Sequence, residues 1–332
     1  MPELVIDIGA VGHNTEVVAR LLKDRGVQLV AVTKGCAGDP QVAAAMLDGG
    51  AVALADSRDE NLRRLRRALP GKELHRIGLP SVRREFEPGD LNHVTNWEAA
   101  DAVGRLGGRP RRVMMQVEGG DRREGVPPDE AEALAARIAD DRRLSLEGVS
   151  TNYACLQSSE AGLRSSVDTV VRTAQNLRQA GLMLTRVSAG SSSLLWLVSK
   201  GEALPAEVTE LRCGEALLLG QDAMQYEPVA GCRTDACIVR AEVVEEYTRR
   251  PSGGATRRLL LAAGREDIGD GAVKFLEPGL REVGRSSDYL VVEVGSRKGR
   301  TAVGSTVEMV PSYESLVAAF TSHYVENVFI GS

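Results

Sequence analysis

Short apolar runs alternate with longer stretches rich in Ala, Leu, Arg and Glu along the first two-thirds of the chain. Runs of the first kind read as strands buried on both faces: Leu29–Lys34, Ala51–Ala55, His75–Leu79, His93–Asn96, Val113–Val117, Leu146–Asn152, Leu184–Ser188 and Val208–Arg212. Stretches of the second kind read as helices, among them Gln41–Asp48, Asp56–Ala68, Asp129–Asp140 and Leu163–Ala180. Pro127-Pro128-Asp129 has the composition of a helix start. Eight strands alternating with helices predict an α/β fold of the (β/α)8 TIM-barrel type. A doubly wound sheet would show fewer strands and a glycine motif after the first, and no such motif is present.

The texture changes after about Gly231. Cys237–Glu246, Arg258–Ala263, Tyr289–Val294 and Thr306–Val310 read as strands, separated by Arg249–Gly254 and Gly295–Gly299. Helical periodicity returns only at Tyr313–Ala319. The pattern predicts a barrel over residues 1–230 and a C-terminal, mostly-β domain over 231–332. Within residues 1–10, Leu4–Ile8 precedes the barrel and is a candidate to pair with the β domain.

At 332 residues the chain has room for both. No apolar stretch is long enough to span a bilayer, and the first residues show no basic region followed by a hydrophobic one. The five cysteines form no short metal-binding pairs, and their odd number argues against a disulfide framework, so a reduced cytoplasmic setting is expected and no metal site. The net charge of -5 is mild. Two basic clusters stand out, Arg63-Arg64 with Arg66-Arg67, and Arg109 with Arg111-Arg112. Asp56, Asp59 and Glu60 precede the first, which suits a solvated helix face better than a phosphate-binding surface. Neither a nucleic-acid nor a membrane partner is expected.

Four patches at predicted strand ends carry the candidate chemistry. Lys34 closes the run Val27–Thr33, and in an apolar surround its ammonium would be disfavoured, leaving a free amine for Schiff-base chemistry. Taken alone, such a lysine more often just reaches solvent. The second patch, Val117–Gly125, is a Gly-rich loop presenting Arg123. The third, Ser188–Ser193, offers hydroxyls and backbone N–H groups ahead of an apolar helix, a candidate anion site. The fourth is Leu211–Ala216, where Arg212 ends a strand and Gly214 lets the backbone approach a ligand. An imine-forming amine, two fixed cations and a phosphate cradle at one end of one barrel are the inventory that holds pyridoxal phosphate.

On these residues the chain resembles the fold-type III pyridoxal-phosphate enzymes, and within them the alanine/ornithine racemase group. Ile6-Asp7-Ile8 with His13-Asn14, Ala31–Lys34, Val117–Gly125, Thr151-Asn152, Ser188–Ser193 and Leu211–Gly220 carry the likeness in the barrel. Gly264–Ile268, Gly284–Asp288 and Thr321–Val325 are similar to ornithine-type rather than alanine-type members. The resemblance implies that Lys34 holds the cofactor and moves a proton. It implies that Arg212 meets the pyridine nitrogen and that Arg123 sits near the phenolic oxygen. Ser191 and Ser192, with the backbone at Gly214 and Glu215, would hold the phosphate, and Asn152 would pack on the ring. Alanine racemases have His at that last position, and a phosphate-binding Tyr where this chain has Gly38.

The resemblance puts Ser252-Gly253-Gly254 where alanine racemases carry the tyrosine that serves the opposite face. By residue type, Asp267, Tyr289, His323 and Tyr324 are substitutes, with Asp267 and Tyr324 taken as the catalytic candidates and Ser287 and Asp288 as substrate-binding. The implied activity is racemisation of a polar or basic amino acid such as ornithine, in a homodimer with shared active sites. Decarboxylation or elimination on the same scaffold, or a non-catalytic cofactor carrier, are the alternatives.

Overall fold

The structure, a computed structural model, describes residues 1–249, 256–295 and 301–331. The Ser252-Gly253-Gly254 stretch and most of the Gly295–Gly299 separator lie outside the described residues.

Strand β1 (Glu3–Asp7) and helix α1 (Ile8–Lys23) open the chain. There follow β2 (Gln28–Val32), α2 (Pro40–Asp48), β3 (Ala53–Asp56), α3 (Asp59–Ala68), β4 (Leu74–Arg76), β5 (Leu91–Val94) and α4 (Trp97–Gly104). Next come β6 (Arg111–Gln116), α5 (Ala131–Asp140), β7 (Leu144–Ser150), α6 (Glu160–Gln179), β8 (Arg186–Ser188), α7 (Leu195–Ser199), β9 (Glu210–Cys213) and α8 (Glu215–Leu219). Strands β2 to β9 pair in parallel and in chain order, and β9 returns to β2 to close an eight-stranded barrel. The chain is therefore a (β/α)8 barrel joined to a mostly-β domain, as its pattern predicts.

Continuous apolar runs form these strands because both faces are covered: every residue of β3 and all but the first of β2 are buried. Between strands and helices, Val94, Ala100, Val103, Val113, Ile138 and Leu144 pack into one cluster. Leucines buried to completion, such as Leu54, Leu62 and Leu65, each contribute on the order of 2 kcal/mol. Helix starts are set by short polar side chains. Asp39 accepts from the N–H of Gln41 and Val42 ahead of Pro40, Asn96 from Ala99, and Ser159 from Gly162.

Several boundaries differ from the sequence reading. Helix α1 is absent from it because buried Asn14 and Thr15 interrupt the apolar stripe of Val11, Val18 and Leu22. Those polar groups are satisfied inside, Asn14 on the carbonyl of Leu217 and Thr15 on that of Val11. Strand β4 stops at Arg76, before Gly78, whose missing Cβ would lie 2.4 Å from the carbonyl oxygen of Ser57. Pro127–Glu130 forms a turn rather than a first helical turn, and α5 begins at Ala131 without a side-chain cap. Asp56 is not on a solvated helix face; it ends β3 and is fully buried.

The chain divides into two compact units, Val11–Lys34 with Gly38–Cys232, and Met1–Ala10, Gly35–Ala37 with Arg233–Ser332. The second unit adds β10 (Cys237–Arg249), β11 (Thr256–Leu261), α9 (Arg265–Ile268), β12 (Val273–Phe275), β13 (Leu280–Arg285), β14 (Leu290–Val294), β15 (Thr306–Pro311), α10 (Tyr313–Thr321) and β16 (Glu326–Ile330). Its strands run β12-β15-β10-β11-β14-β13 across the sheet, and β1 joins β10 antiparallel and β16 in parallel. Alternation marks β10, where Val239, Ala241 and Val243 are buried and Glu242 is not. Strands β12, β13 and β16 escape the sequence reading because their residues are partly exposed and their apolar alternation is weak. All five cysteines are free. No helix among the described residues is long and apolar enough to cross a membrane.

Candidate active site

Lys34 follows β2 by two residues and begins a single tight turn, Lys34–Cys36, at the carboxyl end of the barrel strands. Its side chain is exposed, so the apolar surround expected from the sequence is absent; the run before it is buried but the lysine has passed the strand end. The turn is anchored from beneath. Thr33 Oγ1 donates to Asp56 Oδ2 at 2.6 Å, and Asn61 Nδ2 donates to the same carboxylate. Burial pushes the Asp56 carboxyl above its usual range, against the pull of those hydrogen bonds. Gly38 has φ +63° and its missing Cβ would lie 2.6 Å from Asn61 Cβ, so this position admits no side chain. The tyrosine that the resemblance led one to look for there has no room.

Strand β9 lies beside β2 and brings Arg212 opposite Val30. Arg212 is 5% exposed. Its Nη1 donates to Ser188 Oγ and its Nη2 to the carbonyl of Thr151 at 2.7 Å. Burial draws the guanidinium below its ordinary value, while the charge of Glu210, two residues back, works the other way. A buried cation whose hydrogen-bond partners are both neutral retains most of its field for whatever lies above it. By its two bonds Arg212 also ties the serine loop after β8 to the Thr151-Asn152 corner after β7.

The serine loop enters a short turn, Ser192–Leu194, and only then the five-residue helix α7. A helix so short adds little dipole, so the anion-binding capacity lies in hydroxyls and local N–H groups rather than in the helix. Ser192 is buried, and the N–H groups of Gly214 and Ala216 both reach its Oγ at 3.3 Å. Gly214 is packed against β2, its missing Cβ 2.8 Å from the carbonyl oxygen of Val32, two residues before Lys34. Ser191 is half-buried and Gly190, at φ +129°, has open space where a Cβ would stand. Glu215 is half-buried and accepts from Gln221.

On the Gly-rich loop, Arg123 forks onto both oxygens of Glu124, which also accepts from Gln116 at 2.8 Å. Burial opposes the Arg123 charge, but the Glu124 hydrogen bonds outweigh it and the guanidinium is held above its ordinary value. The charges of Glu124 and Arg123 are felt at Arg212. Asn152 is half-buried and donates to Cys155 Sγ at 3.0 Å. Lys34, Arg123, Asn152, Ser191, Ser192, Arg212, Gly214 and Glu215 thus all stand at or just beyond the carboxyl ends of barrel strands. Glu124, Ser188 and Thr151 lie inside patches that the sequence singles out, but their holding roles, and that of Asp56, are not read from it. A small polar residue ending a buried run, as at Asp56 and Ser188, is the signal that points to them.

In the β unit the three loops singled out by sequence converge. The N–H groups of Arg265 and Glu266 bond to the carbonyls of Ser286 and Ser287, and Ser322 Oγ donates to the carbonyl of Glu266. Asp267 is buried, and its Oδ2 accepts from the Gly264 N–H at 2.7 Å, closing the start of α9. Burial pushes its carboxyl up, against that hydrogen bond. Ser287, Asp288, Tyr289, His323 and Tyr324 are exposed.

The barrel end suits pyridoxal phosphate. Gly190 leaves open space in the serine loop, the Ser192 hydroxyl is held in place by the N–H groups of Gly214 and Ala216, and Arg212 supplies buried positive charge without a directly bonded carboxylate. Such a barrel defines a fold-type III pyridoxal-phosphate enzyme. Residues 6–222 match the family described as alanine racemase, N-terminal domain, and the chain belongs to that family. It is 26% identical to the lysine racemase of Thermotoga maritima, over 99% of this chain and 98% of that one. With the ornithine racemase of Acetoanaerobium sticklandii it shares 27% identity over 98% of each. A crystal structure of alanine racemase from Streptomyces lavendulae superposes with a TM-score of 0.74 at 18% identity, over 100% of this chain and 97% of the other. The chain is a pyridoxal-phosphate-dependent amino-acid racemase.

Proposed function

We propose that this racemase interconverts the enantiomers of a basic amino acid, ornithine or lysine, in a reduced cytoplasm. The observation that carries the substrate class lies in the β-unit loops. Asp267 is spent on the Gly264 N–H and Asp270 on Arg265, but the carboxylates of Glu266 and Asp288 have no hydrogen bond or ion pair among the described residues. Two unpaired carboxylates suit a substrate with a second cationic group, and the ornithine and lysine racemases match the chain almost end to end.

Pyridoxal phosphate supplies the electron sink that makes the Cα proton of a bound amino acid acidic. The protein has the remaining work. Lys34 holds the cofactor and takes or returns the proton on one face. Arg212 keeps its own proton because guanidinium is too weak an acid to give it to a pyridine nitrogen. Keeping that proton, Arg212 would leave the ring nitrogen of a bound cofactor unprotonated and so would favour return of the proton to Cα over side reactions. Ser191, Ser192 and the backbone at Gly214 and Glu215 hold the phosphate, Asn152 packs on the ring, and Arg123, locked by Glu124, fixes the edge. For the opposite face we assign Tyr324, supplied by the second chain of a homodimer. Asp267, occupied as a cap, shapes that loop, and Ser287 and Asp288 receive the substrate.

Turnover of enantiopure ornithine, lysine and alanine in deuterated water tests the reading. Ornithine or lysine should exchange Cα and lose optical purity at least about tenfold faster than alanine, and Asp288→Asn should narrow that preference. Alanine as the best substrate, or carbon dioxide or ammonia in place of the enantiomer, would refute it.

A further inference from the structure

Two loops at the barrel mouth contain non-glycine residues in the left-handed region, Arg122 at φ +57° and Ala154 at φ +72°. Such residues persist only where their surroundings hold them, and they cluster at functional sites. Both adjoin one side chain. Asp121 is 3% exposed, and its Oδ1 accepts from the N–H groups of Cys155, Leu156 and Gln157 at 3.0, 3.0 and 3.2 Å. Three successive N–H groups after a left-handed residue form a nest, a concavity that binds anions. Here the anion is built in. Among the described residues Asp121 Oδ2 has no hydrogen-bond partner, and it lies 3.9 Å from Arg123 Nε.

We propose that Asp121 is a positioning residue that holds Asn152 and Arg123 in register for cofactor uptake by filling the nest at 155–157 with its carboxylate. The chain of contacts is short. Asn152 Nδ2 donates to Cys155 Sγ, and Cys155 N–H donates to Asp121, two residues before Arg123. At the base the same loops are joined by Thr151 Oγ1 donating to the Val117 carbonyl. Gly119 packs there too, its missing Cβ 2.3 Å from Thr151 Oγ1. Within the Gly-rich loop, Glu118 Oε1 accepts from the N–H of Gly120 and Arg122, and Asp121 between them faces the other loop. The base contacts fix where the loops leave the barrel, and Asp121 fixes their tips. The inference rests on the reading of Asn152 and Arg123 as cofactor residues.

The test uses the full chain, freed of cofactor and titrated with pyridoxal phosphate, together with amide hydrogen exchange. Asp121→Ala should speed exchange at Cys155–Gln157 roughly a hundredfold and raise the cofactor dissociation constant about tenfold or more. Asp121→Asn retains an acceptor but not the charge, and should fall between the two in both readouts. Asn152→Ala and Arg123→Ala, measured alongside, should weaken cofactor binding without releasing the 155–157 amides. Wild-type affinity in a folded Asp121→Ala chain, with Asn152→Ala and Arg123→Ala impaired, overturns the role of Asp121 alone. Wild-type affinity in all three overturns the reading of Asn152 and Arg123 as well. If Asp121→Ala does not fold, Asp121→Asn decides, and unchanged affinity and exchange in that variant count against the proposal.

Discussion

The barrel interior has a polar cluster at each end, and the two are charged in opposite ways. At the amino ends of the strands, Glu73 meets His75 Nε2 at 2.9 Å, Arg186 at 2.9 Å and Arg112 at 3.4 Å. Arg186 also reaches Glu210 at 3.0 Å, and Arg112 reaches Glu147 at 3.5 Å. Each cation there has an anion. At the carboxyl ends, Arg212 is more deeply buried than Arg186 or Arg112 but bonds to a hydroxyl and a carbonyl. Matched charges leave little field outside themselves, so the amino-end cluster is a fastening. Arg212 has no carboxylate bonded to it, although the charges of Glu210 and Glu124 reach it, and its burial costs the fold free energy unless a ligand lies there. In parallel barrels the carboxyl end holds the chemistry and the amino end the stability, and here the difference lies in Arg212, whose bonds go to neutral partners while Arg186 and Arg112 each bond a carboxylate.

The sharpest way to break that contrast is to remove Lys34. The Lys34→Ala chain should lose borohydride-trapped cofactor at this position and about 10³-fold or more of turnover, with no loss of thermal stability, because the side chain is exposed. Peptide mapping after reduction reads the first. Cofactor trapped on Lys200 or Lys274 instead would displace the site from the strand end.

Replacing Arg212 comes next. Arg212→Glu puts a second carboxylate beside Glu210 and leaves Ser188 and Thr151 without their donor, so racemisation should fall about 10²–10³-fold. A carboxylate at that position would stabilise a protonated ring nitrogen, so the cofactor should retain the substrate's amino group with release of the keto acid, and its aminated form should accumulate during turnover, followed by absorbance and mass spectrometry. Racemisation at the parental rate with an intact cofactor would mean that the nitrogen partner lies elsewhere.

The two ends were not equally legible in the sequence. Lys34, Arg123, Arg212 and the serine loop each punctuate an apolar run, and a polar residue closing a buried strand is visible without coordinates. The amino-end cluster was not legible as one, because Arg112 stands out only as part of a basic run and Glu73 and Arg186 are ordinary charged residues at strand starts until closure of the barrel brings them within 4 Å. Long-range pairing also decided the fate of Asp56, which reads as the first acid of a helix and is in fact the anchor of Thr33. In the β unit, Asp267, a catalytic candidate by residue type, also accepts from the N–H at the start of its own helix. Backbone hydrogen bonds bring Ser286, Ser287 and Glu266 together, and these leave no trace in side-chain chemistry.

The smallest expected effect belongs to the amino end, and it should appear in stability alone. Hydrogen bonding from His75, aided by its charge and those of Arg186 and Arg112 and opposed by burial, holds the Glu73 carboxyl at about 2 against an ordinary 4.5. A depressed folded-state pKa means that protonation is resisted more in the folded chain than in the unfolded one. The stabilisation is therefore complete above about 4.5 and is lost as the pH falls toward 2. The Glu73 side chain retains 31% of its exposure, so solvent screening trims the value to about 1–2 kcal/mol. Denaturant midpoints should put Glu73→Gln below the parent by that amount between pH 5 and 7, with the gap closing below pH 4.5. Turnover and cofactor affinity should not move, since nothing at the carboxyl end bonds to Glu73. A fall in cofactor affinity without a fall in stability would show that the matched charges below act on the unmatched one above, and the division of labour between the two ends would have to be abandoned.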